Sequence, residues 1–250
     1  MEDRGLYRSI INHHNLVSFR VVVKETDVFV QAETDLSDNT RELVLECRGH
    51  LESYIEQYPE FVKTLTPWKK TGPVPKIVRE MILAGNAAGT GPMAAVAGAV
   101  AEIVGRGLLT YSANIVVENG GDIFYKLDGR VIAGIFAGSS PLSMKVGIAV
   151  EACEGPVSLC TSSGTVGHSK SFGTADAVCV LSDSCALADA AATSIANRIL
   201  SKNDIAGAIE FGRGIDGVKG IVGIKDDGIG AWGNIEVLPL KECGTKRKKG

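Results

Sequence analysis

The sequence predicts an α+β fold in which mixed and antiparallel sheets carry inserted, small-residue helices. Three observations support that prediction. Strand-like runs sit next to one another instead of alternating regularly with helices. Two helix-like stretches, 92–107 and 185–201, are built mostly from small apolar residues. Glycine makes up 30 of 250 residues, against a usual share of about 7%, and it gathers at the joins between elements.

Taken in order, residues 16–33, LVSFRVVVKETDVFVQAE, read as two alternating, β-branched strands around a polar turn at Lys24–Asp27. Asp38 or Asn39 then caps a helix to about Tyr58, with apolar positions at Leu43, Leu45, Leu51, Tyr54 and Ile55. Residues 59–75 form a proline-punctuated connector, and Trp68 within it reads as a packing anchor or a local lid. Pro75 suits a first helical turn, and KIVREMILAGNAAG ends at its glycines. The next helix, 92–107, carries Pro92 in its first turn and is apolar nearly all round, so it should be buried. A run of strands occupies 113–138, interrupted by Asn119-Gly120-Gly121 and turned as a hairpin at Asp128-Gly129. Strands at 144–150, 157–161 and 175–181 lead into the helix 185–201, which should pack closely between sheets or against the earlier small-residue helix. A short helix at 204–212 precedes a closing hairpin, 217–225 with 230–237, turned at Asp226-Asp227-Gly228.

Residues 1–240 therefore read as one domain, or as two intimately packed halves. Residues 241–250 read as a disordered basic tail around Lys246-Arg247-Lys248-Lys249. With 22% charged residues and a net charge of -3, nothing points to nucleic acid or a membrane surface. No apolar run reaches the about 18 residues of a membrane span, and the charged start MEDRGLYRSI lacks an apolar signal region. The cysteines at 47, 153, 160, 179, 185 and 243 form no CxxC pair and read as reduced thiols. The expected location is the cytoplasm. Small-residue helices and exposed strand edges favour pairing of chains into a homodimer.

Three glycine-bearing segments are candidates for a phosphate-bearing ligand. Gly89, Thr90 and Gly91 lead into a helix, where free N–H groups and the dipole favour an anion; the plain alternative is a helix-start turn. Asn119, Gly120, Gly121 and Asp122 lie within a strand run, either as a bulge or hairpin turn or as bare backbone against a ligand. Thr161, Ser162, Ser163, Gly164 and Thr165 offer several hydroxyls, followed by His168 as a general acid or base. The alternative is a polar loop that satisfies its own backbone. Asp189 and Thr193 stand four residues apart, on one helix face, where a carboxylate and a hydroxyl can share a hard cation such as magnesium. Local hydrogen bonding within the protein would account for the same two residues.

Together GPMAAVAGAVAE (91–102), VENGGDIF (117–124), SSGTVGHSKSFGTADAV (162–178) and ADAAAT (188–193) resemble the ApbE-like superfamily, in particular its short cytoplasmic prokaryotic branch. That family includes enzymes that move the FMN part of FAD onto a threonine of an acceptor protein, using magnesium. The resemblance implies an α+β fold with a flavin or nucleotide groove. It also implies Mg²⁺ at Asp189 and Thr193, a Gly-Gly-Asp turn at Gly120, Gly121 and Asp122, and a TSG-like loop with its histidine at Ser162, Ser163, Gly164 and His168. The transferases carry a lysine-glycine pair ahead of an aspartate where this chain has Ala97-Gly98 and Glu102. Their DP-x-TG segment is replaced here by SKSFGTAD.

Two readings follow: Mg²⁺-dependent flavin transfer or related phosphate-ester chemistry, and a module that binds flavin or nucleotide without turnover. A third rests on Cys160 beside the hydroxyl loop and Cys185 at a helix start. A thiol of lowered pKa there could carry a persulfide and serve sulfur assimilation, in homocysteine synthesis. Alternatively, both are small buried hydrophobes.

Overall fold

Among the described residues, eleven strands and the helices between them divide into three layers. The computed structural model describes residues 16–70, 72–151, 153–164 and 173–240. The strands are β1 (Val17–Val23), β2 (Thr26–Ala32), β3 (Ile115–Asn119), β4 (Asp122–Lys126), β5 (Val131–Gly134), β6 (Val146–Val150), β7 (Val157–Ser162), β8 (Ala177–Ser182), β9 (Val218–Lys225), β10 (Gly228–Gly233) and β11 (Glu236–Pro239). The helices are α1 (Ser37–Gln57), α2 (Glu60–Lys63), α3 (Lys76–Ala88), α4 (Val96–Leu108), α5 (Cys185–Ala196) and α6 (Ile205–Arg213). Short 3₁₀ turns, Pro92–Ala95 and Lys202–Asp204, precede α4 and α6.

An eight-stranded antiparallel sheet runs in the order β1-β2-β3-β4-β7-β8-β9-β10, and a three-stranded sheet in the order β11-β6-β5. Side chains alternate between the two faces of a strand, and here both faces find cover. Phe124 of β4 and Val178 and Val180 of β8 join the core shared with the helices. Ile123 and Tyr125, with Ala177, Cys179 and Leu181, join the core between the two sheets. That explains why β8 is buried at all six positions and reads in sequence as a continuous apolar run, not an alternating one. No single helix among the described residues is long and apolar enough to cross a membrane; α3 and the 92–108 segment reach that length together only across a 106° bend.

Most expected elements are present, with differences at their ends. Helix α1 begins at Ser37, ahead of the expected cap, and the Asp35 carboxylate accepts the Ser37 N–H at 2.9 Å. The connector contains the single turn α2, whose Phe61 meets Tyr54 and Trp68 edge to face, with centroids 5.0 and 5.1 Å apart. Trp68 is a packing anchor: it is buried and donates its indole N–H to the Tyr54 hydroxyl at 3.1 Å. The helix expected over 185–201 stops at Ala196.

Two turns do something other than expected. Asp128-Gly129 is not a hairpin, because β4 pairs with β3 and β7 while β5 pairs with β6. Gly129 supplies the positive φ of a turn, but this one carries the chain from one sheet to the other. The closing strand expected at 230–237 is likewise split. At Gly233 a Cβ would lie 2.2 Å from the Lys219 carbonyl oxygen; the chain leaves the large sheet there, and β11 pairs with β6 in the small one.

Candidate functional site

The two small-residue helices cross where Gly98 meets Cys185. A Cβ on Gly98 would stand 2.3 Å from the Cys185 carbonyl oxygen and 2.8 Å from Asp189 Cβ, so only glycine permits the approach. At this distance Asp189 Oδ2 accepts the Gly98 N–H at 2.9 Å, and the Ala97 N–H also stabilises its carboxylate. These are first-turn amides of α4, which have no partner within their own helix. In the opposite direction, Glu102 Oε2 accepts the Cys185 N–H at 2.7 Å and the Ser184 hydroxyl at 3.2 Å. Ser184 in turn accepts the Leu187 N–H at 3.3 Å and caps α5.

Asp122 arrives from the sheet. Asn119 and Asp122 are paired residues of β3 and β4, and between them Gly120 and Gly121 both adopt positive φ, 67° and 111°. That is the two-residue hairpin turn of the primed type, which demands glycine or a close substitute. Glu118 Oε1 accepts the Gly121 N–H at 2.9 Å, and Asn119 Nδ2 donates to the Ala97 carbonyl at 3.1 Å, tying the turn to α4. The turn itself thus accounts for both glycines.

Asp122 and Asp189 interact electrostatically as a carboxylate pair. Burial pushes Asp122 well above the usual carboxylate range and the negative charge of Asp189 adds to it; the Cys160 thiol and the Thr161 N–H pull the other way. Burial likewise pushes Asp189 up to about 7, opposed by the Gly98 and Ala97 N–H groups. Among the described residues Asp122 Oδ1 is buried without a hydrogen-bond partner. Isolated buried carboxylates are costly, so such a pair calls for shared protons or a cation.

Along α5 the next turn brings Thr193, whose hydroxyl lies 3.4 Å from that of Ser162. Ser162 and Cys160 of β7 face α5. Thr161, between them, points the other way, and its hydroxyl lies 3.2 Å from Cys179 Sγ of the inter-sheet core. Its expected place among the ligand hydroxyls is therefore corrected: strand alternation leaves only its N–H on the Asp122 side. Ser163 Oγ and Gly164 N both donate to the Ala175 carbonyl, at 3.4 and 2.9 Å. A Cβ on Gly164 would lie 2.1 Å from the Gly173 carbonyl oxygen. Thr165 and His168 lie outside the described residues.

The third segment adjoins the far end of α5, where Ser194 donates to the Ala88 carbonyl at 2.7 Å. Gly89 closes α3 in a left-handed conformation, φ 73°, and a Cβ on Gly91 would lie 2.0 Å from the Thr64 carbonyl oxygen. Both glycines thus have structural reasons to be there. Thr90 is buried, and among the described residues its hydroxyl has no partner. The anion site expected at the following helix is altered, because Asp189 already occupies the Ala97 and Gly98 N–H groups of α4.

Helix α5 is therefore the common support. Asp122 pairs with its Asp189, Ser162 meets its Thr193, and the Gly89 turn is tied to its Ser194. Sequence reasoning brought out Asp189, Thr193, Ser162 and Asp122 but assigned no site role to Glu102. Its visible signals are being the sole acid in the apolar segment VAGAVAEIVGRGL and standing where the resembled transferases carry an aspartate. No three His, Cys, Asp or Glu side chains converge on a metal position among the described residues. The donors here are two carboxylates and two hydroxyls, oxygens of the kind that magnesium prefers. The reactive-thiol reading of Cys160 fails. It is fully buried with its Sγ 3.4 Å from that of Cys185, and burial, reinforced by Cys185, pushes its pKa well up instead of down.

The family model described as "AbpE bacteria" matches residues 8–210. A UPF0280 protein of Methanocaldococcus jannaschii is 39% identical over 225 residues, 88% of this chain and 91% of its own. Another from Methanosarcina acetivorans is 38% identical over 223 residues, 88% of each chain. In fold the chain is similar to the flavinyl transferase ApbE of Pseudomonas stutzeri, with a TM-score of 0.55 at 14% identity over 87% of this chain and 94% of that one. The flavin transferase ApbE of Vibrio cholerae gives 0.54 at 14% identity, over 88% and 97%. With a family model that spans residues 8–210 and relatives 38–39% identical over 88% of its length, the chain belongs to the ApbE-like superfamily, in its UPF0280 branch.

Proposed function

We propose that this protein binds magnesium at Asp189 and Thr193, with Asp122 alongside, and through the cation holds the pyrophosphate of a flavin dinucleotide. The observation that carries the proposal is the buried Asp122–Asp189 pair, in which Asp122 Oδ1 has no partner among the described residues. A bound cation would neutralise both carboxylates and supply Lewis acidity to a phosphate ester. Asp189 would use the oxygen that does not accept from Gly98, so its hydrogen bonds would orient it as they do other ligating carboxylates. Ser162 would orient the Thr193 hydroxyl.

The reaction proposed is FMN transfer to a hydroxyl of an acceptor protein. The acceptor oxygen bonds to the FMN phosphorus, the bond from that phosphorus to the AMP oxygen breaks, AMP leaves, and the hydroxyl proton is lost. His168 enters as the candidate base by its place in the sequence. One observation favours a second reading, flavin binding without turnover: Ala97-Gly98 stands where the transferases carry a lysine, so that fixed positive charge is missing.

Calorimetry with Mg²⁺ and then FAD, followed by AMP analysis in the presence of hydroxyl-bearing acceptor peptides, tests the proposal. Magnesium-dependent FAD binding with AMP release supports transfer, and binding without AMP supports the second reading. No binding of either ligand by folded protein rejects both.

A further inference from the structure

Asp189 and Glu102 stand in matching positions on the two crossed helices. Asp189 lies four residues after Cys185, the residue whose N–H Glu102 accepts at 2.7 Å. Glu102 lies four residues after Gly98, whose N–H Asp189 accepts at 2.9 Å. Each carboxylate satisfies first-turn amides of the other helix, where backbone donors lack internal partners and negative charge is favoured. Glu102 is itself well fixed. Its side chain is only 14% exposed, it pairs with Arg106 at 2.9 Å, and the Arg106 guanidinium lies over the Phe124 ring, 5.6 Å from its centroid.

We infer that Glu102 is a positioning residue for Asp189. It holds the first turn of α5 through Cys185 N–H and the Ser184 hydroxyl, and thereby sets the helix crossing at which Asp189 meets Gly98. It makes no contact with the cation in this account; it acts on Asp189 through the α5 backbone. Its relevance to cation binding rests on the proposed function, whereas the positioning itself does not.

Two readouts on Glu102→Ala, Glu102→Asp and Glu102→Gln test the inference. The first is amide hydrogen exchange at Gly98 relative to Val222 in the inter-sheet core, measured without any cation. The second is Mn²⁺ affinity by electron paramagnetic resonance. Glu102→Ala should speed Gly98 exchange about tenfold beyond any change at Val222 and weaken Mn²⁺ binding about tenfold. Glu102→Gln keeps an acceptor oxygen for Cys185 N–H and should stay within about threefold of the parent in both. Glu102→Asp is too short to hold Cys185 and Ser184 together and should fall between them, which covers the case in which the alanine variant does not fold.

Gly98 exchange that moves only in step with Val222 in the alanine and aspartate variants overturns the inference, whatever Mn²⁺ does. A glutamine variant as impaired as the alanine variant overturns it too, because charge and not geometry would then be responsible. If the parent binds no Mn²⁺ while Gly98 exchange responds as expected, the positioning is upheld and the cation reading falls.

Discussion

Replacing Gly98 with alanine tests whether α4 and α5 touch backbone to backbone. The new Cβ would stand 2.3 Å from the Cys185 oxygen and 2.8 Å from its carbonyl carbon, both main-chain atoms that no rotamer change can move aside. An ordinary C···O contact needs about 3.3 Å, so the helices must part by roughly 1 Å. Such overpacking costs about 1–3 kcal/mol. Separation also strains the Asp189–Gly98 hydrogen bond, whose charged acceptor makes it worth about 1.5–3 kcal/mol. Against these stands the helix-propensity gain of alanine over glycine, about 1 kcal/mol. The expected net loss is about 2–4 kcal/mol. The control is Gly49→Ala on α1, where a Cβ meets nothing within 4 Å; it should stabilise by up to about 1 kcal/mol. Urea denaturation of parent and variants at equal slope gives both numbers. A Gly98→Ala protein stabilised as much as Gly49→Ala would refute the close crossing and the site geometry built on it.

The raised carboxylates predict a pH dependence. Asp189 rises from 3.8 to about 7 and Asp122 rises too, so the native state binds more protons than the unfolded chain between these values. The contribution of Asp189 to the stability of the cation-free protein should therefore be full below about pH 4 and be lost as pH rises through about 7, at most roughly 4 kcal/mol. Urea midpoints in chelator should show this decline; saturating Mg²⁺ should remove it, and Asp189→Asn should remove the Asp189 share and leave that of buried Asp122. An unchanged decline in Asp189→Asn contradicts the assignment. Thiol labelling of the native protein at pH 8 should modify exposed Cys153 promptly and leave buried Cys160 and Cys185 at least about a hundredfold slower. Equal rates at Cys153 and Cys160 would revive the thiol chemistry that burial argues against.

Much of the site was legible because its signals are local. The i, i+4 spacing of Asp189 and Thr193 puts them on one face of α5, and Asn-Gly-Gly-Asp is a turn whose chemistry is readable residue by residue. The face that each residue takes in the central strands was harder to read. Both sides of the large sheet are covered, so Cys160, Thr161 and Ser162 carry no polar-apolar alternation to say which points toward α5. Turn residues also reveal a change of direction but not the next partner. Asp128-Gly129 turns the chain as expected and then delivers it to the second sheet, and the break at Gly233, inside what reads as one continuous strand, does the same. Glu102 was hidden for a related reason. Its role is to satisfy amides on a helix more than eighty residues later, and nothing within its own segment shows that need.

Anomalous diffraction from crystals grown with Mn²⁺ in place of Mg²⁺ bears most directly on the proposed chemistry. A peak bonded to the Asp189 carboxylate and the Thr193 hydroxyl, within reach of Asp122 Oδ1, is the predicted result. Saturating Mn²⁺ that leaves this position empty, or that gathers only at surface carboxylates such as Glu151 and Glu236, would contradict it.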